Sequence, residues 1–369
     1  MKVRIWEFKA LDTLFFRDST PHDAGEGGGT GVKSLFPPYI FTLQGAIRTG
    51  LALGQGWTPR GEIPFPAELG DGDNLGQVSF EGPYFKQGKD YLFQVPLNLL
   101  HRNFEEFSCV EPGTELFHTD MGKVRLPKLA KAIEGAKIMN DYLITGNGFK
   151  KLLNGEKFRF AREDFVEKSK LWHEEERAGI AIDRVSGTSK DRMLYFTSHI
   201  RPEQELSIAV KVKGIDEDWH RQAPSLLSLG GEGRMAAVHI GEDQAILPPM
   251  PDLLMKDGKT RFTATLLTPG CIWPYRSLED ITKEMELLIE KGLPSIPGNC
   301  ISACIGKMHQ LGGFDLAKRE PRPLIPVIQP GSMWFYEGEE KDIDLLQELH
   351  GKVLNPLGFN QIIIGIWGE

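Results

Sequence analysis

A chain of 369 residues is long enough for two or three domains with ample core, and 40% hydrophobic with 25% charged residues is the balance of a soluble globular protein. The net charge of −8 excludes a protein that binds nucleic acid over its whole surface, so any such contact must be a local patch on an acidic body. No apolar run is long enough to span a bilayer, and the four cysteines form no CxxC pair and read as reduced and structural; both point to a cytoplasmic protein without a membrane partner.

The first segment, Val3 to Phe16, has the alternation of a strand with a bend near Ala10–Asp12. The stretch from Gly25 to Pro38, "GEGGGTGVKSLFPP", then raises the question of a nucleotide loop. A Walker-type loop needs the lysine directly after the last glycine and a helix starting there, so that free helix amides meet the phosphates. Here Val32 puts Lys33 out of register, and Pro37-Pro38 forbids a helix at that point. No nucleotide cofactor is expected. The loop from Arg17 to Ser34 reads equally as a bed of exposed amides for an extended phosphate chain or as a surface loop.

A helix is predicted from Thr42, a candidate N-cap, with Leu43, Ala46, Ile47 and Leu51 on one face and Arg48 and Thr49 off that stripe, free to turn back toward the loop. Residues 57–177 are irregular and rich in proline and glycine, and read as a long insertion. Within it Met121–Lys137 carries Lys123, Arg125, Lys128, Lys131 and Lys137 against Glu134, either a solvated helix face or a backbone contact.

"GIAIDRVSGTSKDRMLYFTSHIRP" contains two strand patterns about a Ser-Gly-Thr turn. Its tip bears Arg184, Lys190 and Arg192, which suit gripping a nucleic-acid backbone as well as guarding an edge strand. Ile215–Leu229 is predicted helical, followed by the glycine–basic loop "LGGEGR" (Gly230, Gly231, Arg234) and a strand. The order β, α, hairpin, α, β is that of the ferredoxin-like fold, with the insertion placed after the first helix. The C-terminal third shows the same order: "RFTATLLTP", strand-like segments flanking the loop "QLGGFDLAKREPRP" with Arg319 and Arg322, the helix "DIDLLQELHG" with Asp342 as N-cap, and an apolar last strand. The expected fold class is therefore α+β, with tandem ferredoxin-like (RRM-like) domains at 1–245, interrupted by the insertion at about 57–177, and 246–369.

Signs of catalysis are thin. No nucleophile elbow, HExxH or paired aspartate motif is present, and no metal site is expected. His22 and Asp23 lie in the glycine-rich loop, where a histidine could in principle activate a 2′-hydroxyl.

The strand ending "DTLFFRD", the glycine-rich loop, "SLFPP" and "TLQGAIRT" resemble the RAMP superfamily of CRISPR proteins. "GIAIDR", "LYF" and "LGGEGR" narrow the resemblance to the branch that supplies the third-numbered subunit of the type III-B Cmr effector complex. The motifs are specific from Lys2 to about Arg234 and looser through "QPGSMWFY" to the C-terminus, where "GFN" stands in place of the family's "GFG". The resemblance implies a non-catalytic subunit that holds the repeat-derived 5′ tag of the CRISPR RNA. Its implied partners are the large polymerase-like subunit and a backbone subunit. It also implies that the glycine-rich loop and the start of the delayed helix face RNA; by motif position and charge the expected contacts are Arg17, Lys33, Ser34, Arg48 and Thr49, with Gly230, Gly231 and Arg234, while Arg184, Lys190, Arg319 and Arg322 stand second. Two other classes compete: a metal-independent endoribonuclease that processes CRISPR repeat RNA, and a pure protein-docking scaffold suited to the acidic charge.

Overall fold

Arg4–Ala10 (β1) buries Ile5 on one face and Trp6 and Phe8 on the other, as a strand covered on both sides requires, while Arg4, Glu7 and Lys9 are its charged positions. The computed structural model places it in the middle of a sheet; residues 2–18, 32–72, 74–119, 122–271, 278–315 and 318–368 are described. Mixed α and β elements with mostly antiparallel sheets make up the chain. It divides into two compact units, each discontinuous in sequence: residues 1–88, 169–243 and 310–324, and residues 89–168, 244–309 and 325–369.

In the first unit β1 is followed by α1 (Ile40–Gly54), β2 (Ser79–Gln87), β3 (Trp172–Ile182), β4 (Ser189–Pro202), β5 (Leu206–Lys213), α2 (Glu217–Gln222), β6 (Leu226–Ser228) and β7 (Met235–Glu242). Five of these strands lie side by side in the order β2-β5-β1-β7-β6, every pair antiparallel. The hairpin β3–β4 forms a sheet of its own. α1 buries Leu43, Ala46, Ile47 and Leu51, the predicted stripe, each large side chain contributing about 1.5–3 kcal/mol on leaving water. Small residues bring it close: a Cβ on Gly50 would lie 2.7 Å from the Leu227 side chain, and one on Gly54 2.8 Å from the backbone of Gln222.

Several sequence expectations are corrected here. α1 begins at Ile40, not Thr42, because Tyr39 takes the extended N-cap conformation directly after Pro37-Pro38, without a side-chain cap. The helix expected over Ile215–Leu229 is only Glu217–Gln222: Ala223 precedes Pro224 and is extended, and the chain then enters β6. The strand beside β5 in the sheet of β1 is β2, which lies within the stretch expected as an insertion, while Gly179–Pro202 belongs to the separate hairpin β3–β4. Gly82-Pro83 disguised β2 as a break, and the register of β2 against β5 shifts close to that proline. The stretch 122–137 contains short strands, Gly122–Val124 and Pro127–Leu129, and no helix.

In the second unit β8 (Lys259–Leu266), α3 (Leu278–Glu290), β9 (Asn299–Cys304), β10 (Met333–Gly338), α4 (Ile343–Leu349) and β11 (Ile362–Ile366) follow in order. The strands lie as β9-β10-β8-β11, again antiparallel. Phe262, Trp334, Tyr336, Leu346, Ile362 and Ile364 form its core, and Trp334 Nε1 donates to the Leu288 carbonyl over 2.7 Å, tying α3 to the sheet. α3 carries no signal picked out in the sequence. Asp342 does hold the N-cap position of α4, but its carboxylate accepts from the Glu339 N–H instead, at 2.8 Å.

Candidate nucleic-acid interface

After β1 the chain bends at Leu11–Asp12 and runs along β4: Leu14 exchanges both backbone hydrogen bonds with Ile200, at 2.7 and 2.9 Å. The two ends of the glycine-rich loop then close on each other. Asp18 N–H donates to the Lys33 carbonyl (3.0 Å), Leu35 N–H to the Phe16 carbonyl (2.8 Å), and Arg17 lies opposite Ser34. The Ser34 hydroxyl accepts from the Phe16 N–H at 2.8 Å, so this side chain seals the stem. On its other side Val32 is bonded to Phe196 and Ser198 of β4, both at 2.9 Å. Arg17 and Lys33 are left exposed at the stem. His22, Asp23 and the glycines of residues 25–31 lie outside the described residues.

The loop "LGGEGR" packs against the same segment. Gly231 N–H donates to the Phe15 carbonyl at 2.8 Å, and Gly230 has φ +84° with the Phe15 oxygen 2.4 Å from where a Cβ would stand. Only glycine fits that approach. Both glycines thus carry a structural duty beside the RNA contact expected of them. Leu229 N–H to the Arg234 carbonyl, 2.8 Å, closes the turn and sends the Arg234 side chain back toward β1.

There Asp12 meets three guanidinium groups: Arg201 Nη1 at 3.0 Å, Arg234 Nη1 at 3.2 Å and Arg177 Nη2 at 3.3 Å. Glu175 lies between two of them, 2.7 Å from Arg177 Nη2 and 2.5 Å from Arg201 Nε. Three guanidinium groups thus share two carboxylates. The Arg201 and Arg177 hydrogen bonds hold the Glu175 carboxyl down at about 2, and the Thr13 backbone amide, then Arg201 and Arg177, lower that of Asp12. Beneath them His199 is fully buried, stacked on Phe15 with ring centres 5.0 Å apart. Its Nδ1 is 3.2 Å from the Thr13 hydroxyl and its Nε2 3.2 Å from Glu232. Burial, reinforced by Arg234, lowers its pKa, so it is neutral at pH 7, with both ring nitrogens engaged. It is a structural histidine, not one presented to a substrate.

Of the residues singled out in the sequence, Arg17, Lys33, Ser34, Gly230, Gly231 and Arg234 come together around Phe15–Phe16. Arg48 does not turn toward the loop: its guanidinium donates to the Gly72 and Asn74 carbonyls at 3.1 and 3.3 Å, with Thr49 half-buried beside it. Arg322 stacks on Phe41 of α1, 4.8 Å from the ring centre, within 3.9 Å of Asp315. Arg319 is exposed in a left-handed turn (φ 57°) and Arg184 is exposed at the hairpin tip. The Lys190 side chain lies outside the described residues. Asp12, Glu175, Arg177 and Arg201 were missed. Their signal was alternation within "HEEER" and "SHIR", which acquires meaning only once Glu175 is paired with His199 and His173 with Arg201 across the hairpin.

The chain matches the CRISPR-associated protein (Cas_Cmr3) family over residues 6–367. It belongs to that family. Two solved chains are similar in fold. One comes from a Type III-B Cmr-beta complex bound to cognate target RNA and AMPPnP, with 17% identity and TM-score 0.50 over 96% of this chain and 90% of that one. The other comes from the same kind of complex bound to cognate target RNA, with 16% identity and TM-score 0.50 over 96% and 91%. No curated protein matches the chain. As a Cas_Cmr3 member, the chain is a RAMP-type subunit of a CRISPR type III effector. Among the described residues no helix is long and apolar enough to cross a membrane.

Proposed function

We propose that this chain is a non-catalytic subunit of a cytoplasmic type III-B effector, holding the 5′ tag of the CRISPR RNA while it docks on the large polymerase-like subunit and a backbone subunit. The observation that carries the reading is the convergence at Phe15–Phe16. Two separate glycine-rich segments, the stem of the long loop and "LGGEGR", are fastened to one short stretch of chain, with Arg17, Lys33 and Arg234 around it. Single-stranded RNA is held by amides and basic side chains on phosphates, which is what such a junction offers.

The fold reading behind it is of tandem ferredoxin-like domains. Each unit contains the succession β, α, β, β, α, β with the second and third strands adjacent, the first beside the third and the fourth at the other edge of the first. That shared order supports the reading. The endoribonuclease alternative gains nothing from His199, which is buried and occupied on both sides.

The test is binding of a labelled single-stranded RNA carrying the repeat-derived tag to the purified chain, with a parallel cleavage assay. Tag-dependent binding without cleavage is expected. Cutting of repeat RNA by the chain alone would replace this function with the endoribonuclease.

A further inference from the structure

We propose that Arg177, Arg201 and Arg234 form a single phosphodiester site on the first unit, with Asp12 and Glu175 holding the three guanidiniums in place before RNA arrives. The proposal rests on the RNA reading above and adds residues to it.

The three arginines come from three different strands or loops: β3, β4 and the turn before β7. Like charges so placed repel, and would splay into water without a counter-charge. Asp12 accepts an N–H from Arg234 and from Arg177, at 3.2 and 3.3 Å, and pairs with Arg201 at 3.0 Å, and Glu175 ties two of them together. The two carboxylates leave donors over. Arg201 commits Nε and Nη1, and Arg177 commits Nε and Nη2. Arg234 commits Nη1 alone, and its Nε is buried with no hydrogen-bond partner among the described residues. Each guanidinium therefore keeps at least one terminal nitrogen uncommitted among the described residues, and all three side chains retain solvent access, 30%, 37% and 20%. A phosphate has non-bridging oxygens enough for such donors, and planar guanidiniums are the side chains best shaped to meet them. The position suits a nucleic-acid backbone. Val32, at the foot of the long loop, is bridged to Thr197, which sits directly across the hairpin from Arg177.

The experiment measures anisotropy of a fluorescent single-stranded RNA on the full chain across a salt series, for the wild type and for Arg177→Gln, Arg201→Gln and Arg234→Gln, with Arg102→Gln, whose side chain pairs with Glu106 in the second unit, as control. Each of the three should weaken binding severalfold and flatten the log–log salt slope by about 0.7, the value expected when one phosphate of a single strand is no longer neutralised. Arg102→Gln should change neither. A second measurement needs no variant: modification of wild-type arginines by phenylglyoxal, read by mass spectrometry, should slow at all three when RNA is added. A wild type that binds RNA while the variants keep its affinity and slope, or whose three arginines gain no protection, overturns this site and leaves the RNA reading standing. A wild type that binds no RNA overturns both.

Discussion

At Gly230 the backbone has φ +84° and the Phe15 oxygen occupies the space of a side chain, so two penalties fall on one residue. Gly230→Ala should cost about 2–3 kcal/mol in urea unfolding. Gly233→Ala, at φ +65° with nothing within 4 Å, should cost only about 1 kcal/mol. Equal costs would mean that the approach to Phe15 is not tight. The buried histidines set a pH dependence. Burial lowers the pKa of His199, His220 and His350 below the ordinary value near 6.5. The unfolded chain then takes up protons first, so stability is lost as pH falls below about 6.5 toward the folded-state values. The melting temperature should drop between about pH 7 and pH 5, and His220→Gln, which still offers Trp6 an acceptor, should flatten the drop. A melting temperature level over that range would contradict the burial argument. Glu175 acts lower: its carboxyl is held down at about 2, so what it contributes persists through mild acid and fades only as pH falls from its unfolded value near 4.5 toward 2. Of these residues only Gly230 advertises itself in the sequence, through the glycine pair of "LGGEGR". Arg234 stands out by the glycines before it, whereas Asp12 and Arg201 are ordinary surface charges until the fold brings them within 3.0 Å.

Among the elements, the stem of the glycine-rich loop is the most informative. Ser34→Ala removes the acceptor for the Phe16 N–H and should destabilise the chain by about 1 kcal/mol, while the salt slope of RNA binding stays unchanged because no charge is removed. Weakened binding at an unchanged slope would place the Ser34 hydroxyl on RNA instead. Periodicity made β1, the buried face of α1, β8, β10 and β11 legible, since each is long or strongly apolar. It failed where chemistry interrupts the period: Gly82-Pro83 inside β2, Pro224 after α2, and the short pieces from 122 to 129, where a helix face is one of two readings. The hairpin β3–β4 is legible as two strands around a turn, but nothing in its residues tells that it stands apart from the sheet of β1. Sheet partnership is a long-range choice that alternation does not encode. Arg48 fails differently. Its position off the apolar stripe reads as that of a ligand, but its partners are carbonyls in a segment with no motif of its own.

At the scale of the whole molecule, an acidic chain of net charge −8 brings Arg177, Arg201 and Arg234 together at the junction of β1, β4 and "LGGEGR". This is the local patch that the composition demanded of any nucleic-acid binder. The same strand order in both units, although the halves share no evident sequence identity, shows why only the pattern of elements could suggest a repeat. The central claim is that such a chain holds CRISPR RNA within an effector. Its most direct test is co-expression with the large type III-B subunit and a CRISPR RNA, followed by size-exclusion chromatography and sequencing of the bound RNA. The account predicts a stoichiometric complex whose RNA keeps an intact 5′ tag. A lone monomer free of RNA, or one that cuts the repeat, would contradict it.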